Sequence, residues 1–204
     1  TTNALEKVVK EYFEEGDYQQ WIQKIKEEHI GIAGELFEKN HPIFEEIKII
    51  FDEAGSFLKI NKSPNYNFVY DQVVTCGEII SSKILSSYLK EAGFSNEWLD
   101  ARDFIKTDAN YREGLINWEI TEKNVLKLDN DKSYVTQGFI GSDDNNFTVS
   151  LGREGSDYSA AIFAYCLNAS DVTIWKDVPG VMTGDPQKFD NVELLTNISY
   201  EEAI

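Results

Sequence analysis

The amino-acid sequence predicts one α/β domain in which helices cover both faces of a mostly parallel sheet. Amphipathic helical patterns fill the first third of the chain, and short strands alternate with helices after about residue 98. The chain has 204 residues, 42% of them hydrophobic and 13% aromatic, so it is long and apolar enough to bury a core. This composition excludes a disordered or fibrous protein.

Apolar residues three or four positions apart predict three helices within residues 1–62. The first covers residues 5–13 and stops at Gly16, Asp17 caps the second, and Pro42 lies in the first turn of the third. The Glu and Lys residues between the apolar stripes form solvated faces, which account for most of the negative charge.

A fourth helix is predicted over residues 70–90, and it contains Gly77 and Glu78 in the middle of its apolar pattern. Glycine inside a helix costs about 1 kcal/mol relative to alanine. Its presence here therefore either weakens the prediction of a helix or indicates that something approaches closely at this position.

The rest of the chain alternates between strands and helices. Strands are predicted at 98–101, 134–140, 147–151 and 172–175, and helices at 118–126 and 155–167. Near the end, Ser199 with Glu202 three residues later predicts a capping box at the start of another helix.

The charge balance excludes several classes of function. The chain has 36 acidic and 19 basic side chains and a formal charge of −17, which argues against a broad nucleic-acid surface or binding to anionic membranes. No apolar run reaches the roughly 18 to 20 residues of a membrane span. Without a signal-peptide pattern either, the sequence predicts a cytoplasmic protein.

Cysteines and histidines give no metal-binding pattern. Cys76 and Cys166 are expected to be free thiols in a reducing compartment, with a disulfide or a reactive nucleophile as the alternative. His29 and His41 have no partner at metal-ligand spacing, so we interpret them as solvated or structural.

A strand, a glycine-containing turn and a helix follow one another in residues 148–161. Gly152 and Gly155 lie in the turn, and free N–H groups at the helix start near Ser156 could bind an anion. Arg153, one of three arginines, would add a guanidinium suited to a carboxylate or a phosphate. The alternative is a plain connection capped by Ser156.

Two other segments carry possible binding chemistry. Residues 174–186 contain Pro179-Gly180 and form either a hairpin or a loop that holds a nucleotide base or ribose. Glu78 is either solvated or paired, or it binds the ammonium group of a ligand.

Together these segments resemble the catalytic domain of aspartate kinases, in the amino-acid kinase superfamily. The resemblance covers the whole chain in order, from Thr1-Thr-Asn-Ala-Leu5 onward. Its motifs are Gly77-Glu78-Ile-Ile-Ser81, Val135-Thr-Gln-Gly-Phe-Ile-Gly141, Leu151-Gly-Arg-Glu-Gly-Ser-Asp-Tyr158, Trp175-Lys-Asp-Val-Pro-Gly180 and Ile198-Ser-Tyr-Glu-Glu-Ala203. It implies a three-layer αβα sandwich of the carbamate kinase-like type.

The resemblance also implies a reaction, in which the γ-phosphate of ATP passes, with Mg²⁺, to the side-chain carboxylate of L-aspartate. The product, 4-phospho-L-aspartate, leads toward lysine, threonine and methionine. Residues 1–62 would be a mainly helical segment, 63–133 would hold the substrate-side helix and strands, and 134–204 would carry the substrate- and nucleotide-binding loops.

Roles for individual residues follow from the same resemblance. The residues implied to bind aspartate are Thr2, Glu78, Phe139, Arg153, Glu154, Gly155 and Ser156. Those implied to contact the nucleotide are Lys176, Asp177, Met182 and Gln187. Asp157 matches the acidic residue beside the phosphoryl group, where it orients a catalytic lysine.

The sequence departs from the family pattern in several places. The opening Lys-Phe-Gly-Gly strand, a later Gly-Ala-Lys segment and the ACT regulatory region are absent, so we expect a chain truncated at both ends and inactive by itself. Glu154 replaces a common glycine and could compete for Arg153. Lys176, Met182 and Gln187 stand where the family often has Thr, Tyr and Arg.

Two alternatives stay open at this point. Another amino-acid kinase, acting on glutamate, acetylglutamate or a nucleotide, would share the sheet but should not combine Glu78 with the Arg153-Glu-Gly-Ser-Asp157 string. A non-catalytic aspartate-binding fragment is the second. The intact protein is expected to form homo-oligomers, with fusion to homoserine dehydrogenase as an open possibility.

Overall fold

The computed structural model describes residues 1–152, 154–176 and 180–203. In this part of the chain the helices are α1 (Thr2–Phe13), α2 (Tyr18–Leu36), α3 (Ile43–Ile60), α4 (Tyr66–Glu91), α5 (Ala101–Phe104), α6 (Trp118–Val125), α7 (Gly155–Cys166) and α8 (Tyr200–Ala203). The strands are β1 (Glu97–Trp98), β2 (Tyr134–Val135), β3 (Ile140–Ser142) and β4 (Thr148–Ser150).

The four long helices α1 to α4 pack on one another around a shared apolar core. The apolar stripes predicted for α1, α2 and α3 supply buried members such as Leu5, Ile25 and Phe51, and α4 supplies others, such as Val73 and Ile80. The Asp17 carboxylate caps α2 as predicted, because it accepts a hydrogen bond from the Gln20 N–H at 3.0 Å.

Helix α4 is longer than the sequence predicted. It begins at Tyr66 rather than Tyr70, since the side chain of Asn65 accepts a hydrogen bond from the Phe68 N–H at 3.2 Å and caps the helix there. Gly77 and Glu78 lie in the middle of this continuous helix, as predicted.

The strands form two pairs. β1 and β2 run parallel, with Glu97 opposite Tyr134, whereas β3 and β4 run antiparallel, with Ile140 opposite Ser150. A parallel bridge also joins Lys106 to Ser142 of β3. The mixture of helices and strands along the chain confirms the predicted α/β class, although β2, β3 and β4 follow one another without an intervening helix.

Three predicted strands are shorter in the structure, and the one expected at 147–151 spans only Thr148–Ser150. The strand expected at 98–101 ends at Trp98, because the Asp100 carboxylate accepts the Arg102 N–H at 3.0 Å and starts the one-turn helix α5. The strand expected at 134–140 is interrupted after Val135, and Phe139 adopts a left-handed backbone conformation with φ of 53°.

The chain divides into two compact units, residues 1–170 and 171–204. In the second unit, Thr183 N–H donates to the Glu193 carbonyl at 2.9 Å.

The predicted capping box is confirmed, since the Ser199 Oγ accepts from the Glu202 N–H and the Glu202 carboxylate accepts from the Ser199 N–H. The strand predicted at 172–175 was wrong: these described residues pair with no strand in the described part of the chain.

Both cysteines are free thiols, as expected. His29 is structural: it is 2% exposed, its Nδ1 lies 2.7 Å from the Ile25 carbonyl oxygen and its Nε2 lies 3.3 Å from Thr1 Oγ1. No helix in the described residues is both long and apolar enough to cross a membrane.

Candidate functional site

The start of α1 lies directly against the middle of α4. A Cβ atom on Gly77 would come within 2.5 Å of Thr1 Cγ2 and 2.8 Å of Leu5 Cδ1, so a larger residue requires these two side chains to shift. Of the two alternatives for this glycine, the structure therefore supports a close approach, and the protein itself makes it. Thr2, the first residue of α1, is exposed beside this contact.

Glu78 follows Gly77 and is only partly exposed. Its carboxylate accepts a hydrogen bond from the backbone N–H of Gly138, in the segment between β2 and β3. Burial raises the pKa of Glu78, and the hydrogen bond from Gly138 opposes that shift. A carboxylate in such surroundings gains from a cationic partner, because the partner would replace the water that burial has removed.

The segment that carries Gly138 also contacts the start of α7. A Cβ atom on Gly138 would lie 2.6 Å from Ser156 Oγ and 2.9 Å from Ser156 Cα, so only glycine allows the two backbones to meet. The next residue, Phe139, is held on both sides. Its N–H donates to Ser159 Oγ at 2.9 Å, and its carbonyl accepts from the Leu151 N–H at 2.8 Å.

The N-terminus of α7 completes this region. Gly155 is buried, and a Cβ atom on it would lie 2.6 Å from Phe139 Cβ. Ser156 is exposed, and Asp157 lies in the first helical turn. A helix of 12 residues that begins here presents backbone N–H groups and the positive end of its dipole to any anion bound beside Ser156.

A buried polar network around Gln137 holds the segment that contains Gly138. Gln137 is 1% exposed, its Oε1 accepts the Ala101 N–H at 2.8 Å, and its Nε2 donates to the Leu99 carbonyl at 2.8 Å and to Ser82 Oγ at 3.0 Å. Ser82 also accepts the indole N–H of Trp98 at 3.0 Å. This network joins the segment that contains Gly138 to α4 and to β1, so that segment cannot shift independently of them.

Glu154 occupies the N-cap position of α7 in a left-handed conformation, with φ of 57°, and its side chain makes no capping hydrogen bond. Such a conformation strains a residue with a Cβ atom and suits glycine. We predict that Glu154→Gly raises the free energy of unfolding by about 1 kcal/mol, and the melting temperature by about 2 to 4 °C.

Glu15 provides a matched control, since it is exposed and has the same φ of 57°. Glu15→Gly should stabilise the chain similarly, whereas only Glu154→Gly should also tighten L-aspartate binding if Glu154 competes for Arg153. Thermal denaturation and calorimetric titration measure the two effects. A melting temperature that does not rise in Glu154→Gly contradicts the strain argument.

The residues implied to contact a nucleotide belong to the second unit. Lys176 is exposed, and Met182 forms a bridge with Leu194. Gln187 is exposed, and its N–H donates to the Asp185 carboxylate at 2.9 Å. Asp177 and Arg153 lie outside the described residues.

Within residues 1–170 the structure brings five predicted residues into one continuous region: Thr2, Glu78, Phe139, Gly155 and Ser156. Sequence reasoning assigned no role to two residues that build this region, Gly138 and Ser159. The Gln-Gly-Phe sequence flagged Gly138 as part of a motif, but nothing local indicated that its N–H reaches Glu78. Ser159 carried no signal beyond its position one helical turn after Gly155.

Comparison with known proteins supports one family. The model of the amino acid kinase family matches residues 7–204. Lysine-sensitive aspartokinase 3 of Escherichia coli is 31% identical over 197 residues, which is 95% of this chain and 42% of that protein. Aspartokinase of Chlamydia pneumoniae is 36% identical over 134 residues, 65% of this chain and 30% of that protein. The chain thus spans less than half the length of these relatives.

Solved structures agree with the sequence comparison. E. coli aspartokinase III in complex with lysine and aspartate superposes with a TM-score of 0.83 at 29% identity, covering 95% of this chain and 44% of that one. The same enzyme in complex with aspartate and ADP gives a TM-score of 0.82 at 28% identity. These comparisons confirm the resemblance to aspartate kinases, and the chain belongs to the amino acid kinase family.

Proposed function

We propose that this chain is the catalytic region of an aspartate kinase, which transfers the γ-phosphoryl group of ATP to the side-chain carboxylate of L-aspartate. The product would be 4-phospho-L-aspartate, a precursor of lysine, threonine and methionine. The observation that carries the proposal is the contact of Glu78 with the Gly138 N–H beside the N-terminus of α7. A partly buried carboxylate beside the N-terminus of a helix suits a zwitterionic substrate, because it offers one partner for an ammonium group and one for a carboxylate.

Glu78 and the start of α7 would each recognise a different charged group of L-aspartate. Glu78 would bind the substrate ammonium group, since hydrogen bonds between charged groups are the strong ones. The N–H groups at the start of α7, with Ser156, would hold a carboxylate. Arg153, which the sequence places directly before Glu154, would bind the α-carboxylate through its planar guanidinium. Phe139 would form an apolar wall.

The chemistry needs no general base. The aspartate side chain is already ionised at neutral pH, because its ordinary pKa is about 3.9. One carboxylate oxygen bonds to the γ-phosphorus while the bond from that phosphorus to the β,γ-bridging oxygen breaks, and ADP departs with the bonding electrons. The protein's contribution is alignment and charge stabilisation, which dominate phosphoryl transfer.

Mg²⁺ is proposed to arrive with ATP. A magnesium ion is usually held by one or two carboxylates together with substrate phosphates. The ion would neutralise phosphate charge when bound. Asp157 itself would orient a lysine beside the transferred phosphoryl group.

The domain fusion, cellular location and assembly of the enzyme are also proposals. Bifunctional aspartokinase/homoserine dehydrogenase of Buchnera aphidicola is 36% identical over 135 residues, which is 16% of that protein. Relatives of this chain thus occur with and without such a fusion. We infer a cytoplasmic, homo-oligomeric enzyme, and size-exclusion chromatography with light scattering on the intact protein tests its assembly.

Calorimetric titration tests the substrate assignment. We expect L-aspartate to bind the chain, L-glutamate to bind much more weakly, and N-acetyl-L-aspartate, which lacks the ammonium group, to bind more weakly still. Preference for L-glutamate or N-acetyl-L-glutamate would instead support another member of the family. L-aspartate binding in an intact protein that never releases ADP would identify a binding protein.

Lys176 is proposed to contact the nucleotide, and its removal should affect one substrate only. We predict that Lys176→Ala raises the KM for ATP about tenfold, as expected for one lost charged contact, while the KM for L-aspartate stays unchanged. Steady-state kinetics on the intact protein measures both.

Lys188→Ala is the matched control, since Lys188 belongs to the same unit and forms an exposed ion pair with Asp185 at 3.2 Å. It should change neither KM, because such surface pairs contribute little. Equal effects of the two substitutions on ATP would refute the role of Lys176.

A further inference from the structure

Asp71 is a buried carboxylate that the proposed chemistry does not use. It is 0% exposed and lies on α4, seven residues before Glu78. Seven residues make almost two helical turns, so Asp71 and Glu78 lie on the same face of α4. Burying a carboxylate is costly unless donors satisfy it, so its partners indicate what the group does.

Three donors from two distant segments converge on this carboxylate. Oδ2 accepts the Arg112 N–H at 2.8 Å and the Ser150 N–H at 2.8 Å. Oδ1 accepts the Ser150 hydroxyl at 2.7 Å. Asp71 therefore attaches α4 to the last residue of β4 and to the backbone at Arg112.

Both attached segments adjoin the turn between β4 and α7. Ser150 precedes Leu151 and Gly152, and Leu151 N–H is bonded to the Phe139 carbonyl at 2.8 Å. The Arg112 carbonyl oxygen lies 3.4 Å from the position that a Cβ atom on Gly152 would take. One carboxylate thus holds the strand that enters this turn and the backbone packed against it.

We propose that Asp71 is a positioning residue, which fixes the distance between Glu78 on α4 and the substrate-binding turn before α7. This inference rests on the proposed function, because it concerns the same aspartate site. Glu78 would meet the substrate ammonium from one side and the turn would meet its carboxylate from the other. A change in their separation weakens both contacts at once.

If Asp71 had a purely structural role, replacing it would lower the stability of the chain without a specific effect on its affinity for L-aspartate. Asn96 offers the matched control, since it is also buried and also joins α4 to another segment. Its Oδ1 accepts the Ser86 hydroxyl at 2.6 Å, and its Nδ2 donates to the Ser86 carbonyl at 3.2 Å. That link lies eight residues beyond Glu78, at the other end of α4 from Asp71.

The test compares L-aspartate affinity with thermal stability in both variants. Both Asp71→Ala and Asn96→Ala should lower the melting temperature by a similar amount. Asp71→Ala should also weaken L-aspartate binding at least about tenfold, whereas Asn96→Ala should keep the dissociation constant within about twofold. Asp71→Asn should rescue binding to within about threefold, since its amide oxygen can accept both N–H groups and its NH₂ can donate to the Ser150 hydroxyl. Unchanged affinity in folded Asp71→Ala, or equal loss in Asn96→Ala or Asp71→Asn, would overturn the proposal.

Two further measurements keep the proposal testable whatever the variants do. If Asp71→Ala does not fold, Ser150→Ala removes a single hydrogen bond and should still weaken L-aspartate binding about threefold; an unchanged dissociation constant contradicts the proposal. If the wild-type chain does not bind L-aspartate, the proposed function fails. Hydrogen–deuterium exchange of residues 151–156, expected to accelerate in Asp71→Ala and not in Asn96→Ala, then decides the positioning role separately.

Discussion

Replacing Glu78 with glutamine is expected to weaken L-aspartate binding about 100-fold, which corresponds to about 2.7 kcal/mol at 1.36 kcal/mol per tenfold change. Glutamine keeps the size of the side chain, and its amide oxygen can still accept the Gly138 N–H. The substitution therefore removes the negative charge that would face the substrate ammonium group while it retains the local packing.

The stability of Glu78→Gln should not fall along with its affinity for L-aspartate. Because burial raises the pKa of Glu78, the ionised group is disfavoured in the folded state. A raised pKa adds stability below the unfolded pKa and loses that contribution as the pH rises through the folded value. At neutral pH, Glu78→Gln should therefore melt at the same temperature as the wild type or slightly higher.

The pH dependence of binding gives a second readout. Wild-type affinity for L-aspartate should decrease as the pH falls toward the raised pKa of Glu78, because the protonated acid no longer attracts an ammonium group. In Glu78→Gln this component of the pH dependence should disappear.

Glu28→Gln, an exposed carboxylate on α2, is the matched control and should change neither affinity nor its pH profile. Calorimetric titration at several pH values makes the comparison. Affinity within threefold of wild type in Glu78→Gln would refute the assigned role.

Replacing Gly138 with alanine is expected to be the most disruptive change of a single methyl group in the site. The added Cβ would lie 2.6 Å from Ser156 Oγ, 2.8 Å from its Cβ and 2.9 Å from its Cα. A side-chain oxygen can rotate away, but a backbone Cα cannot, so the N-terminus of α7 or the Gly138 segment has to move. Overpacking of this kind typically costs about 1 to 3 kcal/mol.

The functional loss should exceed the loss of stability. The displaced groups are the Gly138 N–H that contacts Glu78 and the start of α7, so L-aspartate binding should fall at least about 100-fold. Gly31→Ala is the control, because no atom lies within 4 Å of its added Cβ and alanine favours the helix α2. It should stabilise the chain and leave binding unchanged. Normal binding by Gly138→Ala would show that the close contact does not shape the site.

The helices could be predicted because their signals are local. The apolar stripes of α1, α2 and α3, the Asp17 cap and the Ser199 capping box all depend on residues within one or two turns. The strands were harder, because a few residues decide where pairing stops. Asp100 turns the chain into α5 by capping it, and the left-handed Phe139 interrupts the stretch between β2 and β3.

The site depended on contacts that no local pattern reveals. Glu78 and Gly138 are sixty positions apart in the sequence, and their hydrogen bond exists because α4 and the β2–β3 segment are folded together. Asp71 reads as one more polar residue near the start of a helix, although it accepts three hydrogen bonds from remote segments. Resemblance to aspartate kinases identified Glu78, whereas physical reasoning from the sequence left it between a solvated side chain and a ligand contact.

The proposed activity of the intact protein is phosphorylation of the side chain of L-aspartate. It is tested most directly by ADP release from ATP in the intact protein, with the acyl phosphate trapped by hydroxylamine as the hydroxamate. We predict that ADP release requires L-aspartate and that hydroxamate forms in equal amount. ADP release that is independent of L-aspartate, or that L-glutamate supports equally well, would contradict the account.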